Sequence, residues 1–138
     1  MSHKCIVIDT NIFISAALSP NGTANQAVTK AIQEFTIVHS DETYQEIANR
    51  IYRAKFDKYI SNERRAQFLS IIHSKSQFIK ITSQIVICRD IDDNKFLELA
   101  IDSNAKFLIT GDRDLLVLKS QAEYQHIIVS PRDFLDIG

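Results

Sequence analysis

Glycine, proline, cysteine and tryptophan are scarce in this 138-residue chain, which contains three glycines, two prolines, two cysteines and no tryptophan. So few glycines and prolines argue against long linkers and against a disordered chain. Cys5 and Cys88 form no C-x-x-C pair and the four histidines lie far apart, so neither a disulfide scaffold nor a zinc site is expected. No apolar run approaches the roughly 18–20 residues that a membrane helix needs. We therefore expect a single cytoplasmic domain spanning residues 1–138, without a membrane partner.

The stretch Ile6-Val7-Ile8 predicts a strand that is buried on both faces, as in the centre of a parallel sheet. Further along the chain, apolar positions recur with helical spacing, and short apolar runs stand between these segments. The patterns predict helices over 12–18, 23–34, 41–51, 62–77, 94–104, 115–118 and 131–137, strands at 35–39, 107–110 and 126–129, and short extended pieces at 79–81 and 85–88. This alternation indicates a three-layer α/β domain with a mostly parallel central sheet.

Carboxylates follow several of the predicted strands or open the helices after them. Asp9 directly follows the first strand, Glu46 lies in the helix after the second, and Asp112 follows a later strand. Asp93 stands at the start of another helix. Because parallel strands end at one edge of the sheet, we expect these acids to face one crevice, which is where open α/β sheets bind ligands.

Each of the four acids also has an ordinary structural interpretation, since aspartates commonly cap helices and form turns. The four together are harder to explain in that way. Two carboxylates about 4 Å apart repel by about 4 kcal/mol at an effective dielectric constant near 20. A cluster of ionised acids therefore needs a compensating proton or cation. Without a Cys/His set, oxygen ligands favour Mg²⁺ or Mn²⁺, which can promote phosphodiester hydrolysis.

The overall charge of −1 conceals an uneven distribution. Residues 50–80 contain eight lysines and arginines and two acids, whereas the rest of the chain contains eight basic and fifteen acidic residues. A basic segment beside an acidic site suits a polyanion such as RNA, and we take Arg50, Arg53 and Lys55 as the candidates for contacting it. The alternative is a solvated helix surface rich in lysine and arginine.

Several short motifs, in their order and spacing, resemble a known family. They are Ile8-Asp9-Thr10-Asn11, Ser40 with Glu46-Ile47, Cys88-Arg89-Asp90 through Asp93 with Lys95-Phe96-Leu97 and Ala100, and Thr110-Gly111-Asp112-Arg113-Asp114-Leu115, with further matches at Lys55-Phe56 and Ser130-Pro131. The chain resembles the PIN domain, and within that family the compact bacterial VapC-like toxins of toxin–antitoxin pairs. The resemblance covers nearly the whole chain, although each motif is short.

The resemblance implies a Rossmann-like PIN fold and a metal-dependent ribonuclease with three or four acids, which by position are Asp9, Glu46, Asp93 and Asp112. Asp9, Asp93 and Asp112 would bind Mg²⁺ or Mn²⁺, and Glu46 would be a further ligand or would orient the attacking water as a base. Supporting roles would fall to Thr10, Asn11, Ser40, Thr110 and Asp114, with Asp114 in reserve for the fourth acid. The resemblance also implies RNA as substrate, a cognate antitoxin protein as partner, and often a homodimer.

Two departures from the family pattern bear on the site. Asn94 stands where related chains often carry another acid, and Asn104 replaces a common glycine. Asp93 is chosen because it aligns with the start of the helix, and Asp90 or Asp92 remains an alternative to it.

The alternative function is a non-catalytic RNA- or protein-binding module on the same scaffold. A metal-dependent phosphatase and a receiver-type phosphorylation domain fit less well. Both would need a second acid close to Asp9, where this chain has Thr10 and Asn11.

Overall fold

A five-stranded parallel sheet forms the centre of the computed structural model, which describes residues 4–84 and 93–137. The strands are β1 Cys5–Ile8, β2 Thr36–His39, β3 Ser76–Phe78, β4 Phe107–Ile109 and β5 Ile128–Val129. All neighbouring strands pair in parallel, in the order β3-β2-β1-β4-β5. The run of three branched aliphatic residues therefore lies in the central strand, as the sequence predicted.

Helices connect these strands along the chain. Within the described residues they are α1 Thr10–Leu18, α2 Thr23–Glu34, α3 Asp41–Ile51, α4 Asn62–Ser74, α5 Asn94–Asp102, α6 Arg113–Leu116 and α7 Pro131–Asp136, with short 3₁₀ turns at Ala54–Phe56 and Val117–Ser120. No helix in these ranges is long and apolar enough to cross a membrane.

The core has two parts, one on each face of the sheet. Successive side chains of a strand point to opposite faces, so Ile6 and Ile8 enter one cluster and Val7 enters the other. The first cluster is covered by residues of α1, α2, α3, α4 and α7, and the second by residues of α5 and α6. The predicted three-layer α/β architecture is therefore confirmed.

The carboxyl ends of β1 and β4 place two polar residues side by side. Ile8 is in register with Ile109, so Asp9 and Thr110 leave the sheet next to each other. The backbone N–H of Asp9 donates to the carbonyl oxygen of Ile109 at 2.9 Å. The side chains that follow these strands consequently face the same crevice.

One predicted helix is too long. The interval 62–77 was expected to be helical, but α4 ends at Ser74 and β3 begins at Ser76, while residues 79–81 form no strand. The residues of β3 instead pair with β2, and this gives their backbone groups partners in the sheet. Helical periodicity cannot reveal where such pairing begins. The extended piece predicted at 85–88 lies outside the described residues.

The remaining predicted boundaries agree with the structure to within two residues. Asn104, the last residue of the helix predicted over 94–104, has a positive φ of 53° two residues after the end of α5. Asparagine tolerates this left-handed conformation better than most residues other than glycine, which explains how it can replace glycine here.

Candidate active site

Asp9 is buried at the start of α1, where it is 3% exposed. One carboxylate oxygen accepts the backbone N–H of Asn11 at 3.3 Å, and the other accepts the hydroxyl of Thr110 at 2.7 Å. Burial raises the pKa of Asp9 above its ordinary value, and the negative charges of Asp112 and Glu46 add to this, whereas the two hydrogen bonds lower it. Asp9 is thus held close to two other acids, and a bound cation would stabilise its ionised form.

Thr110 connects Asp9 to the loop after β4. Its hydroxyl donates to Asp9 and also accepts the backbone N–H of Asp112 at 2.9 Å. Asp112 in turn caps α6 by accepting the backbone N–H of Asp114 at 2.8 Å. This chain of hydrogen bonds fixes Asp9 and Asp112 relative to each other, as expected of a supporting residue at position 110.

Three carboxylates converge at the mouth of the crevice, and we call Asp93, Asp112 and Asp114 the aspartate cluster. One oxygen from each residue lies within 4.8 Å of the other two. Asp93 is buried, and the other two are partly buried. The predicted metal ligands Asp93 and Asp112 are therefore brought together. Asp114, predicted only as a reserve, is the third member. Asp9 lies outside this cluster, but the negative charge of Asp112 is close enough to raise its pKa.

The chemistry of the aspartate cluster fits a hard divalent ion. Asp93 occupies the N-cap position of α5, yet its side chain makes no capping hydrogen bond to the described helix. Capping alone, the ordinary interpretation of an aspartate here, therefore does not explain its place. Three carboxylate oxygens at this spacing, with Asp9 behind them, are the kind of donor set that Mg²⁺ and Mn²⁺ prefer.

Glu46 lies on α3 and is surrounded by donors. Its Oε2 is 2.6 Å from Nζ of Lys95 and 3.3 Å from a guanidinium nitrogen of Arg50. Its Oε1 accepts the hydroxyl of Thr10. We call Glu46 with Thr10, Arg50 and Lys95 the glutamate clamp. Here the negative charge already has partners within the protein.

The clamp determines the protonation state of Glu46. Burial by itself would raise the pKa of this carboxyl, but the hydrogen bonds from Lys95 and Thr10 and the charges of Lys95 and Arg50 outweigh it. The net effect lowers the pKa of Glu46 below its ordinary value of 4.5. Glu46 is therefore ionised at neutral pH and is a weak proton acceptor, which favours an orienting role over that of a general base.

The other predicted supporting residues have distinct local roles. Asn11 accepts a hydrogen bond from Arg50 at 3.2 Å and so helps to position the clamp. Ser40 caps α3 through a reciprocal pair of hydrogen bonds with Thr43. Ser40 thus sets the start of the helix that carries Glu46.

The predicted RNA-binding residues do not form one group. Arg50 and Arg53 line an open groove of about 480 Å³ along α3, together with Glu46 and Lys95. The other residues that line this groove are Glu42, Gln45 and Asn49. Lys55 lies in the exposed 3₁₀ turn, with its ammonium 5.2 Å from the centre of its neighbour's aromatic ring, and is not part of the groove.

Lys95 is the functional candidate that the sequence did not single out. It occurs in a motif that resembles the family, but its pairing with Glu46 joins residues far apart in sequence. The available signal was a lysine in the first turn of a helix that opens with Asp93, where a positive charge is unfavourable to the helix dipole. The alternatives Asp90 and Asp92 lie outside the described residues.

Sequence comparison identifies the family. The family model of the PIN domain matches residues 5–114, which include both the aspartate cluster and the glutamate clamp. The chain belongs to the PIN-domain family. A protein of Methanocaldococcus jannaschii, named only as uncharacterized protein MJ1680, is 34% identical over 139 residues, covering 95% of this chain and 89% of that protein.

Solved structures share the fold. VapBC2 from Rickettsia felis, crystallised with a DNA fragment from its promoter, superimposes with a TM-score of 0.60 at 17% identity, over 91% of this chain and 98% of that chain. PAE2754 from Pyrobaculum aerophilum gives a TM-score of 0.61, also at 17% identity, over 95% of this chain and 86% of that chain. At these identities the similarity establishes the PIN fold of this chain.

Proposed function

We propose that this PIN-domain protein is a divalent-metal-dependent endoribonuclease that hydrolyses RNA phosphodiester bonds. The observation that carries the proposal is the convergence of three carboxylate oxygens of the aspartate cluster within 4.8 Å. Fixed acids at this distance repel one another, and a bound Mg²⁺ or Mn²⁺ would neutralise the carboxylates and remove that repulsion. A non-catalytic binding module would gain nothing from such a cluster.

The ligands would be Asp93, Asp112 and Asp114, and Asp9 remains the predicted further ligand beside them. Such an ion, when bound, lowers the pKa of a water and stabilises negative charge on a phosphodiester. The hydroxyl of Thr110 holds Asp9 by a hydrogen bond, and its contact with the backbone of Asp112 keeps the two acids in place. Glu46 orients water and the clamp cations.

The groove along α3 would hold the RNA next to these acids. Arg50 and Arg53 line it beside Glu46 and Lys95, so cationic groups are present where the phosphates of a bound strand would pass. Arg53 makes no side-chain hydrogen bond or ion pair with any residue in 4–84 or 93–137, and its charge is available for a phosphate. Lys55 would contribute less because it lies outside the groove.

The cellular role we propose is that of the toxin in a toxin–antitoxin pair acting in the cytoplasm, with a small antitoxin protein as its partner. The support is similarity of fold to the VapBC2 protein of Rickettsia felis together with the family resemblance of the motifs. Pairing of two copies of the chain and a single domain over residues 1–138 belong to the same proposal. Co-purification of the protein with the product of a neighbouring gene would test the partner separately from the nuclease.

The nuclease is tested by incubating purified protein with a pool of single-stranded and structured RNA in Mg²⁺, Mn²⁺ or EDTA. We expect cleavage that needs the ion and that Asp112→Asn abolishes. Glu34→Gln is the matched control, because Glu34 is an exposed acid just before β2, at the opposite edge of the sheet. Folded protein that binds the ion and the RNA but never cuts would favour the binding module instead.

A further inference from the structure

The ion pair between Glu46 and Lys95 joins α3 to α5 across the crevice. Its 2.6 Å distance is short, and only 9% of the Lys95 side chain is exposed. Burying an ammonium is costly unless an opposite charge lies beside it, and here that charge is an acid of the candidate active site. The crevice therefore contains a positive charge that belongs to the protein itself.

The carboxylate of Glu46 has no oxygen left without a donor. Oε2 is shared by Lys95 and Arg50, and Oε1 accepts the hydroxyl of Thr10. Three of the roughly four acceptor sites of this carboxylate are used, so a metal ion would have to share Oε1 with Thr10 or displace one of these groups. The two cations beside Glu46 also oppose the approach of a third. Displacing Lys95 would leave a buried ammonium without its partner, which is strongly unfavourable.

The aspartate cluster differs in both geometry and chemistry. One oxygen from each aspartate lies within 4.8 Å of the others, a spacing that suits one Mg²⁺ ion with ligand distances of about 2.0–2.1 Å. Two-metal phosphodiester enzymes instead hold a pair of ions about 3.5–4 Å apart. The charge of Glu46, a further acid of the candidate site, is already compensated by Lys95 and Arg50.

We propose that Lys95 takes the place of a second metal ion: it neutralises Glu46 and limits the crevice to one divalent ion, bound by the aspartate cluster. Lys95 is thus a positioning residue that fixes the position of the Glu46 carboxylate and the distance between α3 and α5. The inference rests on the proposed function for the use of the ion in cleavage. The number of ions, however, can be measured without RNA.

The test is a Mn²⁺ titration of the metal-free full-length protein, with free Mn²⁺ followed by electron paramagnetic resonance. We expect one bound equivalent in the wild type. Lys95→Met removes the cation but keeps an apolar stem, so Glu46 should become available and a second equivalent should bind. Lys95→Arg retains the cation and should bind one equivalent. Lys106→Met, at an exposed lysine before β4 on the opposite edge of the sheet, should also bind one.

Several results would overturn the proposal. Two equivalents or none in the wild type would contradict it, as would a single equivalent in a folded Lys95→Met variant. Should that variant not fold, Glu46→Gln decides in its place: we expect one equivalent with unchanged affinity, and loss of that equivalent would identify Glu46 as a ligand. RNA cleavage with two bound ions would refute this inference alone, whereas one bound ion without cleavage would refute only the nuclease.

Discussion

The aspartate cluster and the glutamate clamp differ in how their negative charge is compensated. In the aspartate cluster, three carboxylates lie within 4.8 Å of one another. In the glutamate clamp, one carboxylate is held by Lys95, Arg50 and Thr10. An external cation would stabilise the first arrangement, whereas the second already contains its own cations. An acid at the end of a strand is therefore not enough to identify a metal ligand, because its local partners decide its role.

The largest expected effect is the loss of cleavage when Asp114 is changed to Asn. If Asp114 is a direct ligand, activity should fall by more than about a hundredfold, beyond the range seen for residues that only support a metal ligand. Initial cleavage rates at saturating Mg²⁺ measure this. Asp133→Asn is the matched control, since Asp133 is also an acid in the first turn of a helix, α7. Equal rates for the two variants would remove Asp114 from the metal site.

The clamp should contribute strongly to stability. Lys95→Met breaks a largely buried ion pair, and we expect a loss of about 3 kcal/mol in the free energy of unfolding, at the low end for such pairs. The low end applies because Arg50 remains 3.3 Å from Glu46. Urea unfolding of the metal-free protein gives the value. A change within about 0.5 kcal/mol, as is usual for surface substitutions, would show that the clamp is not a stabilising unit.

Asp9 and Glu46 should also differ in their response to pH. Burial raises the pKa of Asp9 above 3.8, so the folded state binds this proton more tightly than the unfolded chain does, and stability falls as pH rises through the raised pKa. Burial also acts on Glu46, but its donors lower its pKa below 4.5. Its contribution is present above pH 4.5 and is lost as pH falls through the lowered pKa.

The opposite pH dependences are tested by measuring the free energy of unfolding of the metal-free wild type, Asp9→Asn and Glu46→Gln proteins across this pH range. The stability of the wild type relative to Asp9→Asn should decrease with rising pH, and relative to Glu46→Gln it should decrease with falling pH. Buried His39, whose pKa is lowered to about 4, is common to all three proteins and cancels in the differences. If both stability differences changed with pH in the same direction, the proposed difference between Asp9 and Glu46 would be wrong.

The smallest effect concerns the basic segment. Arg53 lines the groove beside the clamp and Lys55 does not. Arg53→Ala should therefore weaken RNA binding and reduce the slope of log affinity against log salt by about 0.7, the value for one contact to a single-stranded phosphate. Lys55→Ala should leave the slope unchanged. Binding of a non-cleavable RNA at several salt concentrations distinguishes the two, and the reverse order would place the strand on the other side of α3.

Sequence patterns anticipated the features that depend on strand ends. Asp9 and Asp112 were expected in one crevice because the strands before them are predicted to be buried and parallel, and parallel strands end at one edge of the sheet. Asp93 was chosen because it aligns with the start of a helix. β3 was missed because its pairing with β2 is a tertiary interaction that overrides the helical pattern before it. The hydrogen-bond and ion-pair partners of each acid could not be predicted from the sequence either.

The link between Glu46 and Lys95 shows why. It depends on how α3 and α5 are rotated about their axes, and residue spacing along one helix carries no information about the other. Asp114 is part of the aspartate cluster because of a turn in which the carboxylate of Asp112 accepts the backbone N–H of Asp114. Short sequence motifs do not determine this local geometry. Sequence therefore located the crevice, and the structure divided it into the aspartate cluster and the glutamate clamp.

The most direct test of this division is the position of the ion in crystals soaked with Mn²⁺, found from its anomalous scattering. The account predicts one peak, coordinated by Asp93, Asp112 and Asp114, with Lys95 still paired to Glu46. A peak coordinated by Glu46, with Lys95 displaced, would contradict it.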